Sequence, residues 1–176
     1  MNESRKEPTR KIALVGSPNV GKSALFNALT GAHATVSNYP GTTVSLSRGS
    51  ARIYEEAIEV VDTPGMYSFL SITEEERIAR SIILEESADI ILQVVDVRNL
   101  KRMLSMTLQL LEAGLPVILV LNMMDEAERE GIAIDTGRLS RETGIPVVPT
   151  VAVTGRGMNQ ILYHILNYER KNHHDV

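Results

Sequence analysis

The feature that most constrains this chain is Gly16-Ser17-Pro18-Asn19-Val20-Gly21-Lys22-Ser23, a G-x-x-x-x-G-K-S loop between an apolar run and a helical pattern. Before it, Ile12, Ala13, Leu14 and Val15 read as a short buried strand; after it, Leu25, Phe26 and Leu29 repeat at helical spacing. In that context the loop is a phosphate cradle. Glycines let the backbone curl tightly with its N–H groups pointing inward, and the following helix adds its positive N-terminal end. Lys22 is then placed to neutralise β and γ oxygens, and the Ser23 hydroxyl to reach Mg²⁺. Without the flanking strand and helix, the same residues would be a Gly-rich turn with an exposed lysine.

The rest of the composition narrows the partners. A chain of 176 residues fits one domain with a substantial core and leaves no room for a second large one. Asp and Glu total 22 against 18 Lys and Arg, for a net charge of −4, which does not suggest a broad nucleic-acid-binding face. Cysteine is absent, which excludes disulfides, thiolate metal sites and cysteine catalysis. Met1 to Arg10 is hydrophilic and mixed in charge, and no apolar stretch of signal-peptide length follows it, so no secretory signal is expected. The longest apolar runs, Ile90 to Val95 and Leu115 to Leu121, are too short to span a bilayer. The expectation is a soluble, cytosolic piece.

Along the chain, short apolar runs alternate with amphipathic stretches, the pattern of an α/β fold with a mainly parallel sheet. Residues 1–10 read as a flexible lead-in, 11–168 as one domain and 169–176 as a fraying tail. Expected strands are Lys11 to Val15, Val44 to Tyr54, Ala57 to Val61, Ile90 to Val95, Val117 to Leu121 and Val147 to Thr150. The second is polar, as suits an edge strand, and Glu55-Glu56 makes a short antiparallel hairpin link to the third. Leu100, Met103, Leu104, Thr107, Leu108 and Leu111 predict one amphipathic helix stopped by Gly114, and Met158, Ile161, Leu162, Ile165 and Leu166 another. Thr73 and Glu76 form a capping box that opens a helix between the third and fourth strands. The methionines of these helices read as core packing.

Three further segments carry chemistry. Asp62-Thr63-Pro64-Gly65 leaves the C-terminal end of a strand, where ligands of such sheets bind. Asp62 can hold Mg²⁺, directly or through water, and the Gly65 N–H can meet a γ-phosphate when the following segment swings in. A D-x-x-G is also ordinary turn chemistry. Asn122-Met123-Met124-Asp125 follows the run Val117 to Leu121. The Asp125 carboxylate can accept from N1–H and the exocyclic amine of guanine, which adenine does not offer, so one residue can select GTP over ATP. Asn122 would brace this loop against the cradle; the alternative for Asp125 is a helix N-cap. Asn38-Tyr39-Pro40-Gly41-Thr42-Thr43 reads as a switch whose threonine completes an Mg²⁺ shell, with Thr42 and Thr43 competing for that role.

Together these segments resemble the translation-factor-related class of P-loop GTPases. Asn38-Tyr39-Pro40-Gly41 with Thr43-Val44, Asp62-Thr63-Pro64-Gly65-Met66-Tyr67-Ser68, Leu108-Gln109-Leu110-Leu111-Glu112 and Asn122-Met123-Met124-Asp125-Glu126-Ala127 are similar to the N-terminal G domain of the ferrous-iron transport protein B family (FeoB), over about Lys11 to Leu166. The resemblance implies a P-loop NTPase G domain with a mostly parallel six-stranded sheet, one antiparallel edge strand and helices on both faces. In that family a helical domain and a polytopic membrane region for Fe²⁺ follow on the same chain, so this chain is either a piece of such a transporter or a stand-alone relative. The implied function is a slowly hydrolysing GTPase that binds GTP and GDP on the cytoplasmic side of the cell membrane and regulates iron transport.

Carried over by residue, the nucleotide meets Gly16, Pro18, Asn19, Val20, Gly21, Lys22, Ser23 and Ala24, and the base meets Asn122, Met123, Asp125, Val151, Ala152 and Val153. Lys22, Thr43, Asn19 and Gly65 are the implied catalytic groups; Ser23, Thr43 and Asp62 hold Mg²⁺. Asn19 is the implied K⁺ ligand, helped by carbonyls near Ser37 to Tyr39; from the loop alone it would simply satisfy its own backbone.

Departures from the family pattern bear on rate and affinity. Met66 stands where many GTPases place a water-orienting glutamine, so intrinsic turnover should be slow. Met123 replaces a common lysine, and Val151 replaces a serine whose hydroxyl braces the guanine loop, so weak GDP binding is expected. Ala152 would still donate its N–H to the base O6, and Ser45 replaces an acidic residue. None of His33, His164, His173 and His174 has spacing for a persuasive metal site, so no direct iron site is expected here. Two rival readings are a GTP-sensing module with negligible turnover and an RNA-associated GTPase of the Era or MnmE type; the second should bring a basic surface.

Overall fold

The computed structural model describes residues 10–31, 34–70 and 72–168. The expected lead-in over most of 1–10, the tail over 169–176, and His33, His173 and His174 lie outside the described residues. The elements run β1 (Arg10–Val15), α1 (Lys22–Thr30), β2 (Ala34–Asn38), β3 (Ser45–Ile53), β4 (Glu56–Asp62), α2 (Glu74–Glu85), β5 (Ile90–Asp96), α3 (Leu100–Glu112), β6 (Val117–Asn122), α4 (Met124–Arg129), α5 (Thr136–Thr143), β7 (Val147–Pro149) and α6 (Met158–Leu166).

One seven-stranded sheet has the order β2-β3-β4-β1-β5-β6-β7. The five strands from β4 to β7 in that order are parallel, and β2 and β3 close one side as an antiparallel hairpin. The sheet is thus one strand wider than six, and the polar β3 is not its outermost strand, because Ala34–Asn38 pairs along it from Asn38↔Ser45 to Ala34↔Gly49. All five β2 residues are exposed, so it is held by ladder hydrogen bonds and carries no burial pattern.

The central strands are buried on both faces, which explains their unbroken apolar runs. Leu25 and Phe26 of α1 and Ile161 and Ile165 of α6 pack on one face. Ala79 and Ile83 of α2, Met106 and Leu110 of α3, Ala127 of α4 and, at its rim, Leu139 of α5 pack on the other. Alternation along β5 divides the two cores: Ile90, Leu92 and Val94 face the first, Ile91 and Val95 the second.

The loop after β1 turns toward β4 while the chain leaving β5 turns toward β6, so a crevice opens between β1 and β5 at the strands' C-terminal ends. The Thr73–Glu76 capping box opens α2, and Gly114 follows α3 with a φ of 71°. Among the described residues no helix is long and apolar enough to cross a membrane.

Candidate functional site

The glycines of the 16–23 loop are set by packing. A Cβ on Gly16 would run into the Val94 carbonyl of β5, and one on Gly21, whose φ is 91°, into the Asn122 amide. The loop therefore lies directly on the ends of β5 and β6. Asn19 also adopts a left-handed conformation, φ 65°, which asparagine tolerates better than most residues, and its exposed side chain makes no hydrogen bond among the described residues. Ser23 and Ala24 stand in the first turn of α1, and Pro18 is exposed beside Asn19.

Lys22 and Asp62 meet across the crevice. The ammonium donates to Asp62 Oδ1 at 2.6 Å and to the Thr63 carbonyl at 2.9 Å, with both side chains nearly covered. The Thr63 hydroxyl donates to the Leu14 carbonyl at 2.7 Å, which fixes the turn after β4 to β1. Gly65 then passes so close to the loop that a Cβ there would lie 2.8 Å from Pro18 Cγ, and the Met66 N–H donates to the Gly16 carbonyl at 3.0 Å. Met66 itself is wholly buried in the second core, which takes its thioether out of reach of water at the loop. Beyond it, the Ser68 hydroxyl and Phe69 N–H donate to Gln109 of α3, and Tyr67, Ile72 and Thr73 N–H groups donate to Glu76. Chiefly the Ile72 bond, helped by the others against the burial of the group, holds the Glu76 carboxyl below the usual glutamate range.

In the 38–43 turn the two threonines have different tasks. Thr42 donates from its hydroxyl to the Tyr39 carbonyl at 2.9 Å and accepts from the Val44 N–H at 3.2 Å, so it builds the turn. Thr43 is exposed and its hydroxyl is unengaged among the described residues. Among the described residues no hydrogen bond joins Thr43 to Ser23 or Asp62, whereas Lys22, which precedes Ser23 at the start of α1, is bonded to Asp62.

Asn122 ties the two loops together. Its Nδ2 donates to the Val20 carbonyl at 2.9 Å, and its Oδ1 accepts from the Thr150 hydroxyl at 3.2 Å and the Ala152 N–H at 2.9 Å. In this arrangement the Ala152 N–H, expected at a base oxygen, is donated to Asn122, and a hydroxyl that braces the loop comes from Thr150, one residue before Val151. Val151 and Ala152 are buried and Val153 is 80 % exposed. Asp125 lies inside the first turn of α4 and does not cap it; Met123 precedes the helix with φ 64°. The Asp125 carboxylate is half-exposed and accepts from Arg129 at 3.3 Å.

Arg98, which the sequence reading passes over, supports this loop from β5. Its side chain donates to the buried Asp96 carboxylate at 3.0 and 2.8 Å and lies 3.6 Å from Met123 Sδ. Burial pushes the Asp96 carboxyl up, and the hydrogen bonds and charge of Arg98 outweigh it, holding the group below its ordinary value. Asp96 stands opposite Asn122 in the β5–β6 register.

The donor set fits a hard divalent cation. A hydroxyl at Ser23 and a carboxylate at Asp62 are oxygen ligands of the kind Mg²⁺ takes, alongside waters and substrate phosphate. Asn19 offers an amide oxygen at the exposed rim, a neutral ligand suited to a monovalent cation.

Residues 10–165 match the family model described as ferrous iron transport protein B. The Fe(2+) transport protein A/Fe(2+) transporter FeoB fusion protein of Porphyromonas gingivalis is 46% identical over 152 residues, which cover 86% of this chain and 18% of that protein. This chain thus spans about a fifth of the curated relatives it matches. The cytosolic domain of the T. maritima FeoB iron transporter in its GMPPNP form superimposes with a TM-score of 0.88 at 41% identity, covering 93% of this chain and 65% of that one. The G domain of the same transporter gives 0.84 at 40%, covering 90% and 98%. With a matched span from β1 to α6 and the same doubly wound sheet, this chain belongs to the ferrous iron transport protein B (FeoB) family, as its G domain.

Proposed function

We propose that this chain binds GTP and GDP at the crevice between β1 and β5, hydrolyses GTP slowly, and acts as the regulatory G domain of a ferrous-iron transporter on the cytoplasmic side of a membrane. The observation that carries the reading is Asn122, which bonds the 16–23 loop and the 150–152 loop at once, so that a phosphate-binding backbone and a base-reading carboxylate are held in one frame. The relatives are Fe²⁺ transporters, and one neighbour is a GMPPNP form.

In this reading Gly16, Pro18 and the N–H groups of Asn19 to Ala24 wrap the phosphates, and Lys22 leaves Asp62 to neutralise the β and γ oxygens. Asp125 reads the guanine edge; Met123, backed by Arg98, covers the ring; and Val151 to Val153 close the far side. Ser23, Thr43 and Asp62 would hold Mg²⁺, and Asn19 with carbonyls near Ser37 to Tyr39 would hold K⁺; both ions supply positive charge against the transferring phosphoryl group. Thr43, not Thr42, takes the switch role, because the Thr42 hydroxyl is committed to its own turn. Gly65 donates its N–H to the γ-phosphate, and Met66, buried, leaves the attacking water without a side-chain base. Helical and transmembrane regions of a longer chain are the partners; no nucleic acid or iron is proposed to bind this domain.

The test is GTP hydrolysis in KCl against NaCl at equal ionic strength, with Asn19→Gly as control. Glycine removes the amide without penalising the left-handed backbone, so lost K⁺ stimulation reports the ligand. Equal rates in both salts would sink the Asn19 assignment. Tight GTP binding with no single-turnover product would instead support the sensing module, which the burial of Met66 favours.

A further inference from the structure

A cavity of about 170 Å³ lies behind the 16–23 loop, between it, β5, α3 and the start of the segment after Gly65. Its walls include three of the chain's methionines, Met66, Met103 and Met106. With Tyr67, Arg102 and Ser105 toward the outside, the buried polar residues among its walls are Ser17 and Gln93. Both are more than nine-tenths buried, and neither Ser17 Oγ nor Gln93 Oε1 finds a hydrogen-bond partner among the described residues. Gln93 shares the face of Ile91 and Val95, the face that packs on α3, so its amide is directed to this side of the sheet. A buried amide oxygen left unpaired in the middle of a parallel sheet is costly, and an apolar residue there would avoid that cost. Arg102 stands at the edge of the cavity, exposed and without an ion pair among the described residues.

We propose that this cavity is a binding site for a small organic carboxylate with an apolar body of about one ring and a hydroxyl or amine donor. The carboxylate meets Arg102, the donor reaches Gln93 Oε1, and the methionine side chains, which adapt to irregular shapes, grip the ring. The size argues for one ring: a cavity of about 150 Å³ holds benzene, and drug-sized ligands need about 300 Å³ or more. Such a ligand would bridge α3 to Met66 while the Met66 N–H is bonded to Gly16, and so hold the segment after Gly65 in its present place. That consequence for turnover rests on the GTPase reading; the binding does not.

The test is a titration of the chain labelled at its methionine methyl groups with 3-hydroxybenzoate, followed by NMR, with and without saturating GDP. Benzoate and phenol, each carrying one of the two polar features, are the controls. The expected result is saturable shifts confined to Met66, Met103 and Met106, present whether or not GDP is added, with weaker binding of both controls. Arg102→Ala, on the exposed face of α3, should weaken 3-hydroxybenzoate about tenfold without affecting the fold, and Gln93→Leu should erase its advantage over benzoate. Absence of saturable shifts at about ten times the millimolar affinity of a one-ring ligand would overturn the proposal. So would shifts confined to Met123 and Met124 and abolished by GDP, or binding unchanged in Arg102→Ala. Failure of GDP to bind, with the three methyl shifts intact, would count against the nucleotide reading and not against this site.

Discussion

The Lys22 ammonium and the Asp62 carboxylate are partnered to each other at 2.6 Å. In the proposed reading these groups serve the nucleotide and its metal, so a phosphate and a cation would have to exchange with this pair on binding.

Replacing Asp62 by Asn should therefore act in opposite directions. Without divalent metal, Lys22 leaves a neutral amide more easily than a carboxylate, and GDP binding should tighten severalfold, about 1 kcal/mol. With Mg²⁺ present, the lost carboxylate should lower GTP turnover by about tenfold or more. Fluorescent GDP titrations in EDTA and in Mg²⁺ check both, and GDP binding weakened in both would contradict the exchange.

Asn122→Ala and Asp125→Ala should separate structure from recognition. The first strands the Val20 carbonyl and the Ala152 N–H in a buried place, leaves the Thr150 hydroxyl only its 3.3 Å bond to the Leu121 carbonyl, and should cost about 3 kcal/mol of stability by urea unfolding. The second removes a half-exposed carboxylate with one long bond to Arg129 and should change stability by less than about 0.5 kcal/mol. It should nevertheless abolish discrimination of GTP from ATP in competition binding.

These residues were legible in the sequence because each motif encodes a local backbone demand next to a recognisable strand. Gly16 and Gly21 are glycines because β5 and Asn122 leave no room for a Cβ, and the apolar runs before them are the buried strands. What escaped has no such demand. β2 buries nothing, and α5 has no buried residue, so neither leaves a hydrophobic period to read. Arg98 and Thr150 work through contacts made only after β5, β6 and β7 are side by side, and a lone arginine or threonine in a sequence says nothing of that.

Gly65→Ala should jam the segment that follows β4. A Cβ would lie 2.8 and 2.9 Å from Pro18 ring carbons, so the turn must move off the 16–23 loop, taking the Met66–Gly16 bond and the Gly65 N–H with it. GDP affinity should stay within about twofold, while any preference for a non-hydrolysable GTP analogue disappears and turnover falls about tenfold or more. Retained turnover would remove Gly65 from the catalytic groups.

Glu76 gives the same segment a dependence on acid. Its carboxylate accepts from Ile72 at 2.9 Å, Tyr67 at 3.0 Å and Thr73 at 3.2 Å, which holds its pKa below the ordinary 4.5. A group whose folded pKa is depressed binds its proton more readily when unfolded, so its stabilising effect is complete above about pH 4.5 and fades as the pH drops through the folded value. Asp96 and Glu86 are depressed as well and add to any global acid slope, so the local readout is the informative one. Amide exchange at Tyr67, Ile72 and Thr73 should be protected at pH 6 and lose protection on acidification, after correction for intrinsic rates. In Glu76→Gln, where the amide NH₂ faces backbone donors, protection of these amides should be about tenfold lower at pH 6 and nearly independent of pH. Equal protection in the two proteins at pH 6 would mean that the capping box, and not the charge, holds this segment against the loop.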